Sequence, residues 1–188
     1  MYSFSKVFLP EQSKPEVWKL QLFLLQEAEK LLGSKEQDKK VYPPTFSDNP
    51  DDGPRIMNSA SFDGAWAHLS HNSKTYWPCA LYELAHETVH LLNPIAGYTN
   101  FLEEGIAVAF SIDMSKSLTE HPMSPTDKNY QRAYELVRLL PGNLYESASK
   151  IREHCGSLGK ATVESLTELF PSLNYEIIEE LCSECNFT

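Results

Sequence analysis

Positive charge is scarce in this 188-residue chain: 16 lysines and arginines face 26 aspartates and glutamates, for a formal net charge of -10 at pH 7. No nucleic-acid partner is expected, because binding a phosphate backbone requires the opposite sign. Long apolar runs are missing as well. None reaches the roughly 18 to 20 residues that span a bilayer, so no membrane association is expected. Residues 1–16 lack a charged region followed by an apolar one, so no secretory leader is expected, and the chain reads as soluble and cytoplasmic. Internal repeats are absent, and the length suits one domain over residues 1–188. Cysteine is limited to Cys79, Cys155, Cys182 and Cys185. Without a leader, free thiols are the default. Cys182 and Cys185 form a CxxC pair downstream of His154 and Cys155, but that spacing matches no common zinc module.

Periodicity supplies an outline of the fold. Ser13-Lys14-Pro15-Glu16 has the form of a capping box with proline in the first turn. It opens a helix with Val17, Leu20, Leu24, Ala28 and Leu31 on one stripe, stopped by Gly33. Residues 34–54 are charged and then rich in Pro, Asp and Asn, which predicts a connector. Residues 55–71 read as strand, with Ala65, Ala67 and Leu69 on one face and Trp66 and His68 on the other. Pro78 sits in the first turn of a second helix. A loop over 93–99, a helix over 101–112, a polar connector over 113–124 and a helix started by Ser124-Pro125-Thr126-Asp127 and ended by Pro141-Gly142 follow. Two or three short helices, broken by Gly156, Gly159 and Pro171, fill 143–185. Helix, strands, then helices make an α+β chain, with an N-terminal lobe over 1–92 and a helical C-terminal lobe over 93–188. The last segment is too rich in glutamate to serve as a DNA-binding tail.

The chemistry concentrates in the second helix, in LYELAHETVHLLNP (residues 81–94). His86 and His90 lie one turn apart on one face, about 40° apart on a helical wheel. Two imidazoles at that spacing converge on a single ion. Glu87 lies about 60° to the side of His90, too far round for a natural ligand but placed to act as a general base. Leu81, Leu84, Thr88, Leu91 and Leu92 form the opposite, packing face. Cys79, Tyr82 and Glu83 share the chemical face, as lining at most. In a chain of this composition the pattern arises by chance about 0.02 times. It requires a third ligand, and a carboxylate is available in NFLEEGIAVAF (residues 100–110). Two nitrogens and one carboxylate oxygen suit Zn2+ with a fourth position open. Asn100 reads as an N-cap, which makes Glu103 the third-position carboxylate of a capping box and turns Glu104 towards the ion.

HETVH followed by LEEGIA resembles the gluzincin group of zinc metallopeptidases, typified by thermolysin, over about residues 60–110. The short gap resembles the compact minigluzincins. The resemblance implies a zincin-like fold: a small N-terminal twisted sheet plus helix, a central active-site helix and an all-helical C-terminal lobe. It implies one Zn2+ held by His86, His90 and Glu104, with Glu87 as catalytic base in peptide-bond hydrolysis. The strand before the active-site helix, residues 65–69, would be an edge that pairs with an extended peptide. No exopeptidase motif precedes the helix, which favours an endopeptidase acting on a peptide or protein substrate. The donor to the developing oxyanion is not specified by the motif. Tyr98 is the first candidate, with His68, His71, His121 and Tyr130 behind it. Asp113 is too far along to support the ligands as an acid shortly after Glu104 would. The competing class is a silent zincin-like scaffold that binds a peptide or protein partner, for which Glu87 would be superfluous. The 113–124 segment reads as a plain connector rather than a border of the cleft.

Overall fold

The first helix, α1 (Lys14–Leu32), buries Val17, Leu20, Leu24 and Ala28 along the stripe that the spacing predicts, but at its end Leu32 is buried and Leu31 is only half-buried. The computed structural model describes residues 7–97 and 99–185. The capping box at Ser13 does not form. Ser13 has ψ near 54°, outside the extended region from which an N-cap hydroxyl reaches the first turn. Its carbonyl takes the amides of Glu16 and Val17 instead, while the Glu16 carboxylate pairs with Lys19 at 3.0 Å. At the other end Gly33 adopts φ 87°, and the buried Arg152 donates to the carbonyls of Leu32, Gly33 and Ser34 at 2.7–2.9 Å. A cation at a helix C-terminus satisfies carbonyls that have no partner within the helix.

Among the described residues the sheet has four strands: β1 (Lys40–Val41), β2 (Thr45–Phe46), β3 (Arg55–Asn58) and β4 (Gly64–Leu69). Two of them lie in the stretch expected to be only a connector. Their two-residue length, interrupted by Pro43 and Pro44, leaves no periodicity to read. The carbonyls of Ala65 and Leu69 accept from Tyr42 N and Ser47 N on one side of β4. The carbonyl of Gly64 accepts from Ser59 N on the other. Thus β1 and β2 run end to end and parallel along one flank of β4, while β3 pairs antiparallel along the other. Residues 65–69 are therefore central, not an edge, and their backbone cannot accept an added peptide strand. Among the described residues β3 forms one outer edge of the sheet, and β1 and β2 form the other.

Residues 70–76 then lead into α2 (Trp77–His90), which is buried along nearly its whole length. Glu83 pins that junction: its carboxylate accepts from Ser70 N at 2.8 Å, Ser70 Oγ at 2.5 Å and Ser73 Oγ at 2.6 Å. On the other face of α2, Gln21 of α1 donates to Thr88 Oγ1 at 2.7 Å. Next come α3 (Phe101–Leu118), α4 (Lys128–Val137), α5 (Leu144–Cys155), α6 (Val163–Leu169) and α7 (Tyr175–Cys182). The class is mixed, with seven α-helices and one small sheet among the described residues.

The third helix runs six residues beyond the expected end at Ile112, because Met114 and Leu118 still pack on the core and Ser115 is fully buried. Gly105 lets α4 approach: a Cβ there would collide with the Ala133 carbonyl. One buried cluster joins α1, α2, α3 and the later helices, centred on Leu81, Leu84, Leu102, Ile106 and Phe110. Among the described residues no helix is long and apolar enough to cross a membrane.

Candidate metal centre

Helices α2 and α3 meet at the carboxyl end of α2. There Nε2 of His86 and Nε2 of His90 lie 3.3 Å apart. Oε2 of Glu104 is 3.1 Å from the first, and Oε1 is 3.6 Å from the second. All three residues are buried, and their donor atoms lie within 4.8 Å of one another. Such a set is able to hold a metal ion, and it is the only such group among the described residues. Cys79, Cys155, Cys182 and Cys185 are free thiols.

The electrostatics of this cluster explain why three polar side chains are tolerated in one buried spot. Burial disfavours the imidazolium of His90, but the charges and hydrogen bonds of Glu104 and Glu103 outweigh it and raise its pKa well above the usual value. Burial likewise pushes Glu104 upward, but His90 and His86 outweigh it and hold the carboxyl well below the ordinary range. Glu104 and His90 therefore stabilise each other's charged forms. A bound cation, which coordinates the neutral imidazole and the carboxylate, would take over that role from the proton.

Glu103 does not behave as expected. Its amide donates to Asn100 Oδ1 at 2.9 Å, so Asn100 is indeed the N-cap. Its carboxylate does not complete a capping box. Oε1 lies 2.8 Å from Nδ1 of His90, and Oε2 accepts from Thr99 Oγ1 at 3.1 Å. A carboxylate on Nδ1 selects the tautomer that leaves Nε2 free for a metal. Gly159 is packed against this pair: a Cβ there would stand 2.6 Å from Glu103 Oε2 and 2.9 Å from Thr99 Oγ1. Only the Asn100 cap was readable from spacing. The link from Glu103 to His90 depends on how two helices meet.

A cavity of about 460 Å3 opens over the cluster. Its walls include His86, Glu87, His90 and Glu104, with Ile56 and Asn58 of β3 along one side and Tyr130 on another. Glu87 is buried. Burial pushes its carboxyl above the usual range, only partly offset by the two histidines.

Tyr130 lies in the first turn of α4, where the Asp127 carboxylate caps the amides of Asn129 and Tyr130 at 2.7 and 3.3 Å. Its ring meets that of His86 edge to face, 5.1 Å between centroids. Burial, then the charges of Glu104 and Glu87, raise its hydroxyl pKa.

Of the other oxyanion candidates, Tyr98 lies outside the described residues. His68 sits on the opposite face of the sheet, its Nδ1 2.8 Å from Thr45 Oγ1. His71 and His121 are exposed and line no part of the cavity. Asp113 accepts from Tyr145 Oη at 2.7 Å instead of supporting a ligand.

Comparison with protein-family models, curated proteins and solved structures finds no match to this chain. The functional argument therefore rests on the geometry of the cluster and its cavity.

Proposed function

We propose that this protein is a zinc-dependent peptidase of the zincin type, with His86, His90 and Glu104 as ligands. One observation carries the reading: two Nε2 atoms and a carboxylate converge in the wall of a cavity that Glu87 also lines. A buried acid with a raised pKa beside a metal set has no packing role to explain it, and a proton-transferring role accounts for it. The N2O donor set suits zinc better than the harder cations, which take oxygen ligands.

When bound, the ion supplies a Lewis acid that polarises a carbonyl and lowers the pKa of water to about 7. The chain's own residues do the rest. Glu87 takes the proton of the attacking water at its carboxylate as the new C–O bond forms. It then delivers that proton to the amide nitrogen as the C–N bond breaks. Tyr130 donates its O–H to the carbonyl oxygen as negative charge develops there. Glu103 is a positioning residue that keeps His90 in the correct tautomer.

The substrate strand is assigned to β3. In an antiparallel ladder the residues of one parity bond inward and those of the other face outward. Arg55 and Met57 share the parity of Ser59, which bonds to β4. Ile56 and Asn58 therefore present their backbone groups to the cleft. An extended peptide pairs there by strand addition.

The test is metal content together with cleavage. Protein purified without added metal should carry close to one zinc per chain and cut a broad peptide mixture. Glu87→Gln should retain the zinc and lose cleavage. Zinc-loaded wild type that cuts nothing would leave a binding scaffold as the better description.

A further inference from the structure

A short loop bounds the metal cavity at one end. Residues 94–97 lie between the carboxyl end of α2 and the cap of α3, and Ile95 and Gly97 line the cavity together with Ile56 and Asn58 of β3. Both flanks of this loop are fixed by distant parts of the chain. Before it, Arg152 of α5 donates to Asn93 Oδ1 at 2.8 Å, and Glu36 N donates to the Leu92 carbonyl at 2.8 Å. After it, Thr99 Oγ1 donates to Glu103 at 3.1 Å, and the Thr99 carbonyl accepts from Cys185 N at 2.8 Å. Among the described residues a single hydrogen bond holds the stretch between these anchors. Asn58 Nδ2 donates to the Ile95 carbonyl at 2.9 Å.

The place of that bond matters, because Asn58 is the last residue of β3. A peptide paired with the outward groups of Ile56 and Asn58 advances about 3.3 Å per residue. One that continues past Asn58 meets the loop. In the other direction the space continues. His86 and Tyr130 also line a second cavity of about 280 Å3, bordered by Pro54 just before β3. Met123 and Ser124 line it too, so the segment expected to be a plain connector borders the cleft. Beside the tether, Gly97 adopts φ 91° with open space where a Cβ would stand. Nothing packs against the loop there, so the Asn58 bond is what sets its position.

We propose that the 94–97 loop, latched by Asn58, limits the length of peptide accepted on one side of the scissile bond. About two residues fit against β3 on that side, and a longer peptide passes only by breaking the Asn58–Ile95 bond. The favoured substrates are short peptides, or chains cut close to one end. The proposal rests on the peptidase reading above. The latch is a neutral amide-to-carbonyl contact, so the limit is one of space and applies to blocked and free termini alike.

The experiment uses the full, zinc-loaded chain and peptides blocked at both termini. They are built around one bond that a peptide-mixture digest shows to be cut, and are extended in alanine one residue at a time on either side. A hydrogen bond of this kind is worth about two- to tenfold. On one side kcat/KM should fall by that factor beyond about two residues, and on the other it should hold or rise. Asn58→Ala and Asn58→Asp both remove the donor and should erase the fall. Equal tolerance on both sides in wild type, or a fall that persists in either variant when folded, would overturn the proposal.

A second series needs no turnover. A phosphinate in place of the scissile bond fixes the register of the peptide on the zinc, and calorimetry then reads affinity against length. The same one-sided fall should appear in wild type and vanish in Asn58→Ala. If this series shows it although no peptide is cut, the peptidase reading fails while the latch stands. If the phosphinate series shows no fall, the latch is wrong whether or not peptides are cut.

Discussion

Oε1 of Glu103 sits 2.8 Å from Nδ1 of His90, so the residue before the proposed ligand Glu104 holds the far side of the same imidazole. Neighbouring helical residues point about 100° apart, and here both directions are used on one ring. Removing such a partner typically costs 10- to 100-fold in metal affinity. Glu103→Ala should therefore weaken zinc binding by about that factor, with Glu103→Gln recovering part of it, because an amide oxygen still accepts from Nδ1–H. Glu104→Ala should lose more than either. Competition with a chromogenic chelator measures all three. If Glu103→Ala loses stability but binds zinc normally, the carboxylate's contacts with His90 and Thr99 are structural only.

Gly159 provides an independent route to the same contact. A methyl group at this position would crowd Glu103 Oε2 and Thr99 Oγ1. Gly159→Ala is expected to reduce zinc affinity in wild type but to have little further effect in Glu103→Ala, since the two changes act on one contact. Additive losses in the double variant would separate the glycine from the histidine.

These relationships show which features could be read from spacing. His86, Glu87 and His90 share one helix turn, so their arrangement is local and legible. Glu104 is legible through the Asn100 cap, which sets the phase of α3. Spacing alone gives Glu103 to the cap, because its partner His90 lies on another helix. Tyr130 stands 40 positions beyond His90, with no local pattern to mark it. Its place depends on Gly105 letting α4 pack close to α3. The sheet was the least legible part. Strands of two residues around paired prolines carry no alternation, so β4 looked like an edge although both of its flanks are covered.

Asp63 carries the clearest pH prediction away from the metal centre. Hydrogen bonds from Ser59, Ser61, Lys40 and Tyr42 hold its carboxyl well below the usual range. A depressed carboxylate contributes stability above its unfolded pKa of about 3.9, and that contribution disappears as pH falls through the folded value. Asp63→Ala should thus lower Tm at pH 6 to 7, and the gap to wild type should narrow below about pH 4. A gap independent of pH would mean that the loss is one of packing alone.

Tyr130 is assigned a role in the transition state and not in holding the metal. Loss of one oxyanion donor typically costs about 10²- to 10³-fold in kcat. Tyr130→Phe should show that loss with near-normal KM and unchanged zinc content. A variant that keeps its kcat would shift the donor role to a residue outside those described, with Tyr98 the first to test.

The free edge of β3 makes the final prediction. Ile56 and Asn58 face the cleft with their backbone groups, and Asn58 Nδ2 also ties this edge to the Ile95 carbonyl at 2.9 Å. A peptide paired there would place the amides of alternate residues against β3. Methylating one of those amides in a good substrate removes a hydrogen bond worth about 0.5–1.5 kcal/mol. KM should rise about two- to tenfold at alternate positions and stay unchanged at the positions between. Ala67→Pro, in contrast, should damage folding itself, because β4 lies inside the sheet and proline is not tolerated in a central strand. An Ala67→Pro protein that folds normally and only weakens substrate binding would return the peptide to β4. A methylation scan without alternation would remove strand pairing from the recognition altogether.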